Sequence, residues 1–318
     1  MSGNLPRGSA DAEHVSPAKL TAFLDAADRF GGIDSVMVLR HGRVIAERWW
    51  PPASPPVPHV LWSVGKSFTS IAVGLAIAEG RFGISDRVID LLPDDVPETI
   101  DGHLATMTVR HLLTMTSGHS SESLPETDRT PGTNWARDVL SRPVPFEPGS
   151  RFVYNSGTTY LLSAIIQRHS GMNLLEYLTP RLLDPLGIRD ATWEQSPQGI
   201  DAGGWGLSAT TRDVAKFGQL CLQRGEWNGS QLVPGEWLAA ATSRQVATGE
   251  EPDRPDWSQG YGYLFWQCRH GAYRADGKDG QFCIVLPDFE TVVTMTANLS
   301  DMQGELDLVW DFVLPALN

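Results

Sequence analysis

The chain has 318 residues, 41% of them hydrophobic and 20% charged, enough to bury a large core in one domain or two interleaved ones. A formal net charge of -13 argues against nucleic acid or anionic membrane as a partner, since both select basic surfaces. The three cysteines (Cys221, Cys268 and Cys283) lack CxxC or Cys/His ligand spacing, so they read as reduced, buried thiols, and neither metal nor cofactor is expected.

Met1 to Gly8 carry no apolar stretch behind their positive charge, and no run is long enough to cross a membrane. A cytoplasmic location is therefore expected. Residues 1 to 15 are polar and expected to be loose. Ser16-Pro17 starts a helix, with serine as cap, proline at the first position, and Leu20, Phe23, Leu24 and Ala27 at helical spacing. Val36 to Arg40 and Val44 to Trp49, joined by His41-Gly42-Arg43, form a β-hairpin. A proline-rich run follows (Pro51, Pro52, Pro55, Pro56, Pro58) that cannot be helical.

Leu61 to Phe68 then opens a helix that is apolar on nearly every side through Ala78, hence buried, with Gly80 placed to end it. Ser63 sits at its N-terminus and Lys66 one turn on along the same face. A serine there feels the positive end of the helix dipole, and a lysine entering a core tends to lose its proton. A nucleophilic serine needs that pairing. The same S-x-x-K pattern recurs at Ser16 and Lys19, where Pro17 favours a plain cap.

Thr108 to Met115 reads as a short helix, and the polar stretch His119 to Asn134 as a long loop of the kind that is functional or disordered. Trp135 to Leu140 is helical, and the turn Glu147-Pro148-Gly149-Ser150 leads into Tyr154-Asn155-Ser156-Gly157. Helices are expected at Thr159 to His169, Asn173 to Leu183, Thr211 to Leu222 and Pro234 to Thr242. From Gly260 the period becomes two, predicting strands at Tyr261 to Cys268, Gln281 to Leu286 and Thr291 to Thr296, before a terminal helix, Leu306 to Leu317.

Ser63 with Lys66, Tyr154 in its turn, and the corner Ala275-Asp276-Gly277-Lys278 make three motifs in order. Together they resemble the serine β-lactamase and penicillin-binding protein superfamily. The closer likeness is to the branch with class C β-lactamases, esterases and 6-aminohexanoate-oligomer hydrolases, whose second motif begins with tyrosine. Arg110 to Gly118 and Gly204 to Ser208 belong to the resemblance. It implies an α+β, β-lactamase/DD-peptidase-like fold: an antiparallel sheet from both chain ends (16–62 and 256–318), flanked by helices, with a mostly helical region (63–255) inserted and the active site between. Ser63 would be the nucleophile and Lys66 its proton partner. Tyr154 would be the acylation base, its phenol acidified by Lys66. The backbone N–H groups of Ser63 and Lys278 would form the oxyanion hole, and Gly277 would let the strand approach substrate. Asn155, Ser156, Asp276 and Trp205 are candidate substrate contacts.

Two motifs depart from the family pattern. The second is usually Tyr-x-Asn and here reads Tyr154-Asn155-Ser156, so the amide is replaced or shifted by one. The third usually begins with Lys or His, which attracts a substrate carboxylate, and here it reads Ala275-Asp276-Gly277. The altered third motif and the expected lack of a signal peptide favour an ester or amide as small-molecule substrate over a lactam. The alternatives are a true β-lactamase or D-alanyl-D-alanine carboxypeptidase, or a penicillin-sensing module without catalysis.

Overall fold

The computed structural model describes residues 5–318, and the expectation for residues 1–4 lies outside it. Residues 5 to 15, expected to be loose, instead lie along the edge of the hairpin. The Gly8 amide donates to the Val44 carbonyl and the Val44 amide to the Pro6 carbonyl, while Leu5 and Val15 are buried. Two apolar anchors in a polar segment were enough to fix it. Helix α1, Pro17–Phe30, is capped by Ser16, whose hydroxyl accepts from the Lys19 amide. The Lys19 ammonium donates to the Pro315 carbonyl at 2.6 Å, so this second S-x-x-K is a cap and nothing more.

Strands β1, Ile33–Arg40, and β2, Arg43–Trp49, meet in a turn with His41 and Gly42 both left-handed, the conformation that matches the twist of a two-residue hairpin. After the short β3, His59–Val60, and a tight turn at Trp62–Val64 comes α2, Gly65–Ala78. Every residue of α2 from Gly65 to Ala76 is buried. Phe68 stacks on Phe217 at 3.9 Å, and full burial of a side chain of that size contributes roughly 1.5–3 kcal/mol. A helix so enclosed is a rigid mount for whatever it carries.

The middle of the chain adds α3 (Val109–Leu113), α4 (Trp135–Leu140), α5 (Ser156–Ser170), β4 (Thr192–Trp193), β5 (Leu207–Ala209) and α6 (Thr211–Leu222). The C-terminal part supplies β6 (Trp266–Gln267), β7 (Tyr273–Gly277), β8 (Gln281–Leu286), β9 (Thr291–Ala297) and α7 (Met302–Leu308). The main sheet runs β2-β1-β9-β8-β7-β6 and is antiparallel throughout, so both chain ends build it. The pairing of Val38 with Val293 stitches the first strand to the last. Helix α6 packs on β1, β8 and β9, and α2 packs against α5 on one side and β7 on the other. Among the described residues no helix is long and apolar enough to cross a membrane.

One strand was misplaced by the sequence reading. Tyr261 to Cys268 alternates in type, yet all of Tyr261 to Trp266 is buried, and only Trp266–Gln267 joins the ladder. A Cβ on Gly262 would overlap the Ala241 carbonyl, and Leu264 is left-handed, so the segment wraps the helical region instead of extending. The strand that was missed is β7. Its Asp276 belongs to the corner motif in the sequence, but in the structure it pairs with Arg274 inside the protein.

Candidate active site

Ser63 lies in the turn Trp62–Val64 that feeds α2. Trp62 is left-handed (φ 48°), a conformation that costs a bulky residue of order 1 kcal/mol and turns β3 sharply into the helix. Ser63 is thereby set at the helix entrance, where backbone amides have no acceptor within the helix. One turn on, the Lys66 ammonium donates to Ser63 Oγ at 2.8 Å, to Ser156 Oγ at 3.0 Å and to the Gly204 carbonyl at 2.6 Å. The Gly203–Gly204 turn is itself held by Thr69 of α2, whose hydroxyl donates to the Gly203 carbonyl.

Burial drives the Lys66 amine from its ordinary 10.5 down to about 7; the Glu122 and Asp276 carboxylates pull it back up, and Arg129 pushes it down. Half of such amines are neutral near pH 7, so the group touching the serine hydroxyl can accept its proton. Tyr154 packs beside them, its ring stacked on Trp266 at 5.7 Å and 4.8 Å from Lys66 Nζ. Here the structure corrects an expectation. The Tyr154 phenol is not acidified: burial raises it above the ordinary phenol range, the Asp276 charge adds to this, and a hydrogen bond with Ser63 only partly opposes it. Burial thus favours the neutral amine at Lys66 and the protonated phenol at Tyr154.

The second motif is substituted, not shifted. Asn155 is fully buried and caps α5: its Oδ1 accepts from the Ser123 amide, the Ser123 hydroxyl and the Gly157 amide, and its Nδ2 donates to the Ser121 carbonyl. An amide spent on four backbone and side-chain partners is not a substrate contact. Ser156, at the third position of the motif, is the residue that contacts Lys66. Trp205 is also withdrawn from the cleft, lying between Trp135, at 5.8 Å, and the Arg129 guanidinium, at 3.6 Å.

Asp276 does reach the cleft wall, but it accepts from Nε of the wholly buried Arg274 at 2.9 Å. Burial raises its carboxyl, and Arg274 holds it back. Gly277 has a packing reason of its own. A Cβ there would overlap the Leu61 carbonyl, so the glycine lets β7 press against the chain entering Ser63. Lys278 follows at the corner, its side chain exposed and near Asp279 at 3.8 Å.

These residues border a cleft of about 400 Å³ with Ser63, Tyr154, Asp276 and Lys278 in its wall. Phe152, Trp257, Trp266 and Met302 supply apolar surface, and Glu251 and Arg254 form a charged rim. A groove of about 480 Å³ between the N-terminal segment, α1 and β2 is larger but contains none of the constellation. Glu122, Arg129 and Arg274 went unrecognised in the sequence. The only signal for the first two was the length of the polar loop that carries them.

Residues 20–317 match the model of the Beta-lactamase family. The 6-aminohexanoate-dimer hydrolase of Paenarthrobacter ureafaciens is 28% identical over 233 residues, covering 68% of this chain and 59% of that protein. This chain thus spans less than two thirds of that relative's length. The octameric penicillin-binding protein homologue from Pyrococcus abyssi superposes with a TM-score of 0.77 at 21% identity, covering 94% of this chain and 77% of that one. EstCE1, a hydrolase with promiscuous acyltransferase activity, gives 0.75 at 20% identity, covering 94% and 98%. Both neighbours share the β-lactamase/penicillin-binding protein fold found here.

Proposed function

The chain belongs to the Beta-lactamase family, and from that premise we propose that it is a serine hydrolase cleaving an ester or amide through an acyl-enzyme on Ser63. The observation that carries the proposal is the buried Lys66 amine 2.8 Å from Ser63 Oγ, brought near neutrality by its surroundings. Neutral Lys66 takes the Ser63 proton as Oγ attacks the substrate carbonyl. The oxyanion is received by the N–H groups of Ser63 and Lys278. Tyr154, still a phenol, donates its proton to the leaving group, and the Lys66 ammonium beside it returns one. Water then releases the acyl group by the same steps in reverse order.

The relative named for a 6-aminohexanoate dimer makes a small amide a reasonable substrate class, and the aromatic cleft suits an apolar acyl group. A lactam with a recognition carboxylate is the less favoured reading, because Ala275 stands where the family's basic residue would be and the adjacent Asp276 is paired with buried Arg274.

The test is labelling with a fluorophosphonate and peptide mapping, followed by a panel of p-nitrophenyl esters, aminohexanoate oligomers and a chromogenic cephalosporin. The label is expected on the peptide carrying Ser63; a label confined to another serine would overturn the nucleophile. Fast cephalosporin turnover with inert esters and amides would overturn the substrate class. Two variants probe the surroundings. Gly277→Ala should displace β7 from the Ser63 turn and lower kcat about 100-fold, the scale of one lost oxyanion donor; an unchanged kcat would separate the corner from the oxyanion site. Tyr154→Phe should lower kcat about 100-fold with KM little altered, the loss of one proton donor; a change confined to KM would make the ring a binding surface alone.

A further inference from the structure

Glu122 lies in the long polar loop before α4, in a part of the site that none of the three motifs covers. Its carboxylate accepts from the Ser156 amide at 2.6 Å with one oxygen, and from the Gly157 and Leu124 amides, both at 2.9 Å, with the other. Ser156 in turn takes a hydrogen bond from Lys66 through its hydroxyl at 3.0 Å. One residue therefore connects the carboxylate to the amine. We propose that Glu122 is a positioning residue that holds the Tyr154-Asn155-Ser156 turn against Lys66 and sets the charge of that lysine for its task.

Three observations carry this. The contacts fix the carboxylate at the entrance of α5, where the helix end also favours negative charge, so it cannot swing away to solvent without uncovering three amides. Lys66, Asn155 and Ser123 are buried while Glu122 and Ser156 are half-buried, so the interaction is only partly screened. The other groups that face Lys66 oppose one another. Asp276 from β7 adds a second negative charge that Arg274 largely answers, Arg129 from the same loop as Glu122 is the positive counterweight, and the Tyr154 phenol is neutral. A fully desolvated lysine with no such carboxylate would be a weaker base than the serine requires, so the loop restores basicity that burial removes.

The inference rests on the reading of Lys66 as proton acceptor, but its test does not need turnover. The chain has four lysines, Lys19, Lys66, Lys216 and Lys278, so lysine side-chain labelling gives four resonances whose titration NMR can follow; Lys66→Arg identifies one of them. In Glu122→Gln, whose amide oxygen can still accept from Ser156, the Lys66 midpoint should fall by about one pH unit. Glu122→Asp, which keeps the charge, should stay near wild type. Arg129→Gln, which leaves the α5 cap untouched, should move the midpoint upward. An unmoved midpoint in both Glu122→Gln and Arg129→Gln would overturn the proposal, as would an equal fall in Glu122→Asp and Glu122→Gln, which would make the residue a helix cap only. Failure of Ser63 to take a fluorophosphonate while the midpoints move as expected would instead strike the catalytic reading and leave this one standing.

Discussion

Ser63→Ala is expected to lose about 10⁵-fold or more in kcat, with KM nearly unchanged and no fluorophosphonate label. The size follows from the role: without Oγ no acyl-enzyme forms, and the remaining donors can only bind substrate near water. The fold should survive the change. Ser63 Oγ is held by Lys66 and Tyr154, and Lys66 keeps its bonds to Ser156 and Gly204 when the hydroxyl is gone. Thermal unfolding of the variant beside its hydrolysis rate is the check. Residual hydrolysis within tenfold of the wild type would remove Ser63 from the mechanism.

Lys66→Met should be both inactive and more stable. General-base losses reach about 10⁴-fold in kcat/KM, and methionine has the length of the lysine stem but cannot take a proton. The stability gain has a definite sign. In the unfolded chain the amine titrates near 10.5 and in the folded protein near 7, so folding below pH 10.5 requires release of a proton or burial of an ammonium. The cost grows as pH falls from 10.5 to 7 and is constant below. At about 1.4 kcal/mol per unit it amounts to as much as about 5 kcal/mol, reduced by the acceptors at Gly204 and Ser156 that methionine leaves unpaired. The excess stability of Lys66→Met over wild type should therefore be larger at pH 6 than at pH 10, as read by denaturant unfolding. The same titration gives the wild-type enzyme an acid limb in kcat/KM near pH 7, falling tenfold per unit below it. A profile flat from pH 5 to 9 would mean that Lys66 is not the base.

A stability gain in Lys66→Met would mean that the wild-type protein carries strain at the site and offsets it elsewhere. The offset here is α2, whose burial from Gly65 to Ala76 holds the lysine in place against its own desolvation.

Local pattern alone identified α2, the hairpin at His41-Gly42, the cap at Ser16 and the pair Ser63–Lys66, because helical period, turn chemistry and a one-turn spacing are properties of neighbours in sequence. The resemblance of three motifs supplied the fold, and the sheet built from both chain ends bears it out. What the linear chain could not carry was the partner of each polar group. Asn155 and Ser156 are adjacent, yet one faces Ser123 and the other Lys66, and only the packing of α5 on the long loop separates a cap from a site residue. Asp276, a candidate substrate contact in the sequence, finds Arg274 once β7 is placed inside the sheet, where each makes the other's burial tolerable. Tyr154 is the clearest case. Its place in the motif suggested an acidic phenol, but ionisation depends on the dielectric and the charges around a group, and burial beside Asp276 turned the shift the other way. Sequence placed the serine and its lysine together; the fold set the surroundings that favour a neutral amine beside a protonated phenol.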